Sequence, residues 1–452
     1  MSMNRRHFLK STAAATAAAS AALGAAPIVG VERIGKYPIA LIGTGWWGMN
    51  ILTTAIQAGK SKVVALCDVD QSFLDSAAAK VKELTGEKPK TYKDYRELLD
   101  AERPEIVIVA TPDHWHPLIM IAAVRAGAHV YVEKPISHTI QEGQAMVKAA
   151  RKYGRIVQVG THRRVSPHNV SGMQFLKSGK AGKIGFVRAF VHYGGGPEKP
   201  RRNIEPPKGL DWDRWCGPAP YRPFNGDPAN PWSGGIHPRG FRNYLDYANG
   251  TLGDWGIHWM DQVLWWTEEK WPRRVFSAGG RYVRGPAINL PEWQTSDAPD
   301  TQTATFEFES FTLEWEHRQY AGNEAEKGEN VGCYFYGTEG TFHMGWQDGW
   351  RFYPVDKNKP VLHEAPQLNE PDQQNIRQLW DNFMVSIQNN TLPVCDIEIG
   401  HRSTNVSLLA MISLKTGRSL QWDGDKEVIL GDPYASTLLK RDYRPGYNYP
   451  QA

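Results

Sequence analysis

The sequence predicts an α/β protein that opens on a doubly wound parallel sheet. Three observations carry that expectation. Short apolar runs alternate with helical stretches over residues 37–159, the order of repeated strand–helix–strand units. A glycine-rich turn, Gly43-x-Gly45-x-x-Gly48, joins the first run to the first helix. An acid, Asp68, closes the second run 20 residues after Gly48.

Residues 37–42 are almost continuously apolar, as a strand buried on both faces requires. Gly43 permits a tight turn, Gly45 lets the backbone approach a pyrophosphate, and Gly48 lets the next helix pack close. That helix, over 46–58, turns its N-terminus to the phosphates. Residues 62–67 form the second strand. In such a unit the Asp68 carboxylate meets the adenosine ribose hydroxyls. It would repel a 2′-phosphate, and no Arg follows directly, so the pattern favours NAD over NADP. Asp70 either shares that role or caps the helix beginning near Gln71.

Alternation continues with a helix at 94–101, a strand at 105–110 and a helix at 115–126. A strand at 129–132, a helix at 139–153 and a strand at 156–159 follow. Ligands bind beyond the carboxyl ends of such strands. Two loops there are rich in chemistry: Thr111-Pro112-Asp113-His114-Trp115-His116 and Glu133-Lys134-Pro135. The nucleotide is therefore expected among Gly43, Thr44, Gly45, Trp46, Trp47, Gly48, Asp68, Thr111, Pro112, His116, Glu133 and Lys134. Asp113, His114 and His116 crowd one loop without a third partner, so no metal is expected. His116 is expected to line the nicotinamide pocket instead.

Residues 184–193 read as a long strand. The stretch from there to about 250 is rich in Gly, Pro, Arg and Trp, and eight of the 17 tryptophans fall between Trp212 and Trp271. Long irregular segments in compact domains are commonly functional loops. Aromatic faces here, including Trp232 in Trp-Ser-Gly-Gly, suit sugar C–H surfaces; the alternative is that they fill a core. Arg239, Arg242 or Tyr221 is expected to reach the pocket. Strands at 274–283, 301–318, 332–336 and 341–346 complete a second sheet. Residues 303–309 alternate as a sheet with one wetter face does. Helices are expected at 371–388 and 396–416, and an irregular tail, free to embrace a neighbour, at 425–452.

The chain has 452 residues, 41% of them hydrophobic, which suffices for two or three domains. That excludes a disordered chain, a coiled coil, a collagen and a disulfide-stapled miniprotein; no fixed-period repeat points to a solenoid. Net charge is +4, and Arg5, Arg6 and Lys10 supply three of those charges. A nucleic-acid partner therefore lacks an electrostatic basis. Asn4-Arg5-Arg6-His7-Phe8-Leu9-Lys10 and the Ala-rich run to Ala26 match a twin-arginine export signal. The run is too short and too poor in Leu and Ile for a membrane span. The expected organisation is an export signal and linker at 1–34, a nucleotide-binding domain at 35–160, a substrate and oligomerisation domain at 161–424, and the tail. The expected location is periplasmic or secreted, reached in the folded state, without stable membrane anchoring. Cys67 reads as a buried strand residue. A bridge among Cys216, Cys333 and Cys395 stays open in an oxidising compartment, and their spacing is wrong for zinc.

Taken together, Gly43-x-Gly45-x-x-Gly48, Asp68, Ala110-Thr111-Pro112 with His116, and Gly127-x-His129-Val130 leading to Glu133-Lys134-Pro135 carry a resemblance. Asp254-Trp255-Gly256-Ile257-His258-Trp259-Met260-Asp261 and Gly337-Thr338-Glu339-Gly340-Thr341 extend it. From about residue 37 to about 423 the chain resembles the glucose–fructose oxidoreductase, inositol dehydrogenase and rhizopine-catabolism (Gfo/Idh/MocA) family. The resemblance implies a C-terminal α+β domain with a large, mostly antiparallel sheet covering the nicotinamide, and a homo-oligomer, dimer or tetramer. It implies that Lys134 touches cofactor and substrate, and that His258 and Asp254 work on the substrate hydroxyl. The residues agree: Asp254 and His258, four apart, share one helix face. Asp254 can bias the imidazole, unless it serves only as a helix cap, and a cation at Lys134 suits a developing alkoxide. Asp261 stands equally well as a structural or a functional acid.

Three functions compete at this stage. The first is an NAD-bound oxidoreductase acting on a secondary hydroxyl of a sugar, glycoside or cyclitol. The second is redox-neutral glycoside cleavage through a transient keto sugar. The family's NAD-dependent glycosidases carry a different motif around the catalytic histidine, whereas this chain keeps Asp254-x-Gly-x-His258. The third is a non-catalytic carbohydrate-binding protein. An exported enzyme has no useful pool of free NAD, so the cofactor is expected to be loaded before export, held tightly and recycled in place.

Overall fold

A computed structural model describes residues 35–226, 235–323, 325–368 and 374–452. Residues 1–34, where an export signal is expected, and Trp232 lie outside the described residues. The first sheet is built from β1 (Tyr37–Ile42), β2 (Ser61–Cys67), β3 (Lys90–Tyr92), β4 (Ile106–Val109), β5 (His129–Val132) and β6 (Val157–Val159). All neighbours are parallel, in the order β3-β2-β1-β4-β5-β6. The order reverses between β1 and β4, and that switch point opens a crevice at the strands' carboxyl ends. Connecting helices are α1 (Trp46–Gln57), α2 (Gln71–Thr85), α3 (Tyr95–Glu102), α4 (His116–Arg125) and α5 (Ile140–Lys152). Asp70 caps α2 by accepting from the Ser72 amide, and Asp94 caps α3 by accepting from Arg96. Every side chain of β4, Ile-Val-Ile-Val, is buried, as a central strand with helices on both faces demands.

The second domain follows with α6 (Pro167–Lys177), β7 (Ile184–His192), β8 (Arg201–Arg202), α7 (Trp212–Cys216) and α8 (Gly250–Thr267). Then come β9 (Arg274–Gly280), β10 (Trp293–Gln294), β11 (Thr301–Glu307), β12 (Thr312–Arg318), β13 (Val331–Gly337), β14 (Gly340–Gly345), β15 (Trp350–Pro354) and β16 (Leu362–Glu364). The chain closes with α9 (Ile376–Asn389), α10 (Ile397–Thr416), β17 (Leu420–Asp423), β18 (Val428–Leu430) and α11 (Pro433–Thr437). Ten strands form one sheet, β16-β15-β14-β13-β7-β12-β11-β9-β17-β18. Only β7 and β12 pair in parallel. Helices α8 and α10 bury their apolar sides against it through Leu252, Trp259, Val263, Val406 and Leu409. The alternating burial of β11 confirms a one-sided sheet.

Several expectations need correction. The strand at 301–318 is two strands, because Phe308 and Phe311 close a hairpin, the Phe308 amide donating to the Phe311 carbonyl at 3.0 Å. Helix α9 packs Leu379, Trp380 and Phe383 onto the first sheet's core with Leu41 and Ile51, although it comes late in the chain. The tail is not wholly irregular. It carries β18, and Asp432 caps α11 ahead of Pro433. Beyond these it folds onto its own chain: Arg441 pairs with buried Glu142 at 2.9 Å, and Tyr447 meets Trp115 edge-on. All four cysteines are buried and free, so no bridge forms among Cys216, Cys333 and Cys395.

Of the described tryptophans between Trp212 and Trp271, Trp215 and Trp255 line the crevice and the other five do not. Trp212 stacks on Trp215 with centroids 4.5 Å apart, and Phe224, Phe241, Tyr244 and Tyr247 complete a small separate core. That core gives the irregular segment a fixed shape where it meets the first domain.

Candidate active site

One cavity of about 790 Å³ runs along the carboxyl ends of the first sheet and under the second domain. At one end lies the glycine turn. A Cβ on Gly43 would stand 2.6 Å from the Ala110 carbonyl oxygen, and its φ of +91° is left-handed, so only glycine fits. A Cβ on Gly48 would stand 2.2 Å from the Gly43 oxygen. Gly45 has nothing within 4 Å on that side. First and third glycines thus serve packing, and the middle one leaves room at the N-terminus of α1. This cradle fits a dinucleotide pyrophosphate.

Gly43, Gly45, Trp46, Trp47, Asp68, Thr111, Pro112, Glu133 and Lys134 all line the cavity. Asp68 closes β2, where it accepts from the Thr44 amide at 2.6 Å, the Thr44 hydroxyl at 3.0 Å and the Asp70 amide at 2.9 Å. Burial nevertheless pushes its carboxyl up, against those bonds. Thr44 therefore orients the acid, and Gly48 packs against the Gly43 carbonyl and Ala110.

His116 departs from its expected role. It is not among the lining residues; its ring nitrogens meet the Pro135 and Thr111 carbonyls, both at 2.8 Å. It clamps the two chemical loops to each other. His114 meets the Trp215 carbonyl at 3.0 Å, so Asp113, His114 and His116 diverge. Among the described residues no cluster of three or more His, Cys, Asp or Glu could hold a metal.

At the other end Lys134, Asp254 and His258 converge. Lys134 Nζ donates to Asp254 Oδ1 at 2.7 Å and to the Asp254 backbone oxygen at 2.9 Å. Arg242 Nε stands 3.2 Å from the same Oδ1. Burial works against the Asp254 charge, but Lys134 and Arg242 outweigh it and hold the carboxyl at about 2. Asp254 lies inside α8, past the N-cap Asn249, so it is not a cap. Nor does it bond His258, as its place on the same helix face suggested. Lys134 and Arg242 take the carboxylate.

His258 instead packs among rings. His162, Trp346 and Trp255 stand 5.4, 5.0 and 5.7 Å from it, centroid to centroid. Its Nδ1 is buried without a hydrogen-bond partner. Burial first, then Lys134, His162 and Arg163, push its pKa well below the ordinary histidine range. The imidazole is neutral at neutral pH and free to accept a proton. Burial also lifts Asp113 and Glu133 to about 7 against nearby cations.

Asp261, left open between two roles, is structural. It pairs with Arg164 at 2.8 Å and accepts from Ser403 at 2.8 Å, away from the cavity. Of the insert candidates, Arg239 and Arg242 line the cavity, whereas Tyr221 is exposed and does not. The sequence reading missed His162, Tyr193 and Trp346 on the substrate side. His162 was findable, since it follows β6 at a strand carboxyl end. Tyr193 and Trp346 directly follow the second-sheet strands β7 and β14, and no motif marks them.

Fold and site together define a dinucleotide-dependent oxidoreductase: a glycine cradle at one end of the crevice, and an ammonium, a carboxylate and a neutral imidazole at the other. Family comparison agrees. Residues 37–161 match the model described as oxidoreductase family, NAD-binding Rossmann fold. Residues 163–275 match its C-terminal alpha/beta domain, and 222–343 the GFO/IDH/MocA C-terminal domain. The chain belongs to the Gfo/Idh/MocA family, and its first domain is an NAD-binding Rossmann fold.

Sequence relatives include glycosyl hydrolase family 109 protein 1 of Shewanella sp. (strain ANA-3), 31% identical over 171 residues, 33% of this chain and 37% of that protein. An alpha-N-acetylgalactosaminidase of Shewanella oneidensis is 30% identical over 176 residues, covering 33% of this chain and 37% of that protein. The chain thus matches little more than a third of these relatives' length. Among solved structures, levoglucosan dehydrogenase in complex with NADH and levoglucosan superposes with a TM-score of 0.65 at 17% identity, over 85% of this chain and 99% of that one. The aldose-aldose oxidoreductase of Caulobacter crescentus gives a TM-score of 0.61 at 20% identity, over 85% and 99%. These structural likenesses establish the fold. Among the described residues no helix is long and apolar enough to cross a membrane.

Proposed function

We propose that the protein is an NAD-dependent oxidoreductase acting on a secondary hydroxyl of a sugar, glycoside or cyclitol. The observation that carries this reading is the convergence of Lys134, Asp254 and neutral His258 on the wall of the NAD crevice. Bound NAD supplies a hydride acceptor. His258 takes the hydroxyl proton as the hydride leaves carbon. The Lys134 ammonium stabilises the alkoxide character that develops on oxygen. Asp254, itself paired with Arg242, fixes that ammonium. Trp255 and Trp346 offer aromatic faces for sugar C–H surfaces, and Tyr193 a polar edge.

A carbohydrate library, screened for reduction of bound nicotinamide by absorbance and fluorescence, tests the reading. A secondary polyol or sugar that reduces the cofactor supports it. No response to any polyol, with NAD demonstrably bound, defeats it.

A second reading has its own support. Cleavage through a transient keto sugar needs another base, to take the C–H proton beside the new carbonyl. His162 is that candidate: it lines the cavity beside His258, and burial, with Arg163 and Lys134, keeps it neutral. Relatives named as glycosidases share part of this chain. Release of aglycone from a glycoside, with no net NADH, selects this reading; accumulated keto sugar selects the first. A non-catalytic carbohydrate-binding role is disfavoured by the intact Lys134–Asp254–His258 set.

We also propose export by the twin-arginine route, with NAD loaded in the cytoplasm, held tightly and recycled in place. Arg5 and Arg6 support it. Replacing both by Lys should leave the protein in the cytoplasm on cell fractionation; unchanged periplasmic recovery refutes it. A homo-oligomer fits the one-sided second sheet, and sedimentation of the purified protein decides it.

A further inference from the structure

We propose that residues 237–242, near the end of the insert between β7 and α8, are a clasp that retains the dinucleotide, with Arg239 as its cation for the pyrophosphate. This rests on the NAD-binding first domain and not on the identity of the sugar. The insert is tied to the end of β2 at two places. The first tie is backbone: the Gln71 amide donates to the Gly209 carbonyl at 3.1 Å, and the Asp211 amide to that of Val69 at 3.0 Å. Lys93 Nζ reinforces it, reaching the same two carbonyls at 3.1 and 3.0 Å. The second tie is a side-chain pair, His237 Nε2 to Asp70 Oδ2 at 3.0 Å. Asp70 is ionised there: partial burial raises its pKa, but His237 and Ser72 outweigh this and bring it to about 2.

Two residues further on, the Arg239 guanidinium lies 4.2 Å from the centre of the Trp46 ring. Trp46 is the first residue of α1, directly after Gly45, where the cradle presents the helix N-terminus. A guanidinium parked on an indole is placed before any anion arrives. Helix N-terminus and guanidinium both favour a phosphate group. His237, Arg239 and Arg242 of the insert line the same cavity as Gly45, Asp68 and Lys134 of the first domain. A dinucleotide stretched from Asp68 to Lys134 therefore lies between the first domain and the insert. Its departure requires the 237–242 segment to lift, which breaks the His237–Asp70 and Arg242–Asp254 pairs and the Arg239–Trp46 contact and unpacks buried Phe241.

The test uses the full chain as purified. Two quantities are read: nucleotide released on denaturation after gel filtration, and the exchange rate of bound nucleotide with radiolabelled NAD. Arg239→Ala and His237→Ala should each exchange at least about tenfold faster and lose nucleotide on the column. His237→Gln, which keeps a donor for Asp70, should retain it. Exchange within about twofold of the parent in both alanine variants overturns the clasp while leaving NAD binding intact. A parent chain that binds no nucleotide overturns both. Arg239 is exposed, so its alanine variant should fold and can decide the question alone if His237→Ala does not.

Discussion

Replacing Lys134 by Met removes one charge and keeps most of the side chain's volume. In the parent its ammonium makes two bonds to Asp254, at 2.7 and 2.9 Å, leaving a donor for a substrate oxygen. A unit charge about 3 Å from a developing alkoxide is worth about 5 kcal/mol at an effective dielectric constant of about 20. Asp254 offsets part of that attraction, so the net loss should sit near 3–4 kcal/mol, roughly 10²–10³ in rate. The assay is single-turnover reduction of bound nicotinamide, followed by absorbance after mixing with the best substrate from the screen. Asp254→Asn should slow the same step less, by roughly tenfold to a hundredfold, because the ammonium remains but is less firmly placed. The double variant should be about as slow as Lys134→Met alone, since Asp254 acts through the lysine. Nucleotide content should stay at the parent level in all three. Turnover by Lys134→Met within about tenfold of the parent would refute the assignment; full additivity in the double variant would refute the coupling.

Other expectations follow from single features. Gly48→Ala sets a Cβ 2.2 Å from the Gly43 carbonyl; thermal unfolding should show a loss of about 1–3 kcal/mol, and NAD titration weaker binding. Asp68→Asn removes the anion at the end of β2, so the ratio of NADP to NAD affinity should rise, as equilibrium titration will show. Burial raises the Glu133 carboxyl from its ordinary 4.5 to about 7. The fold therefore favours the protonated form, and this contribution to stability is full below about 4.5 and lost as pH rises through about 7. Melting temperatures across that window should fall less in Glu133→Gln than in the parent; identical slopes would remove Glu133 as a cause. His258→Gln should abolish hydride transfer without releasing nucleotide; retention of near-parent turnover would reassign the base.

The first domain was legible because its constraints are local. A glycine with φ of +91° and a strand buried on both faces leave marks in consecutive residues. Short β3 and helix α6 left none strong enough to read. Lys134 and Asp254 were legible as chemistry, but their pairing was not. Sequence spacing pointed Asp254 toward His258, its neighbour on the helix. In the fold, a cation 120 positions earlier takes the carboxylate. His116 misled for a related reason: it stands in the right loop, yet both ring nitrogens are taken by carbonyls that only the folded chain brings together. The tryptophans between Trp212 and Trp271 read equally as ligand wall or core, and only packing separates Trp212 and Trp259 from the cavity-lining Trp215 and Trp255.

The Asp254 carboxylate joins two parts of the molecule that sequence distance keeps apart. On one side it holds Lys134, delivered by β5 of the nucleotide domain. On the other it meets Arg242, three residues beyond the arginine that rests on Trp46. Seating of the 237–242 segment is thus felt at both ends of the cavity. Lifted, it would deprive the cradle of Arg239 and leave Asp254 facing Lys134 alone. A one-to-one pair draws the ammonium more strongly to Asp254 than a carboxylate shared with Arg242 does, so the lysine would be less available to substrate oxygen. The insert therefore need not touch the reacting atoms to govern them. Retention of the nucleotide and readiness of the lysine become two consequences of the same seated segment, and an enzyme built this way performs its chemistry only while its cofactor is enclosed.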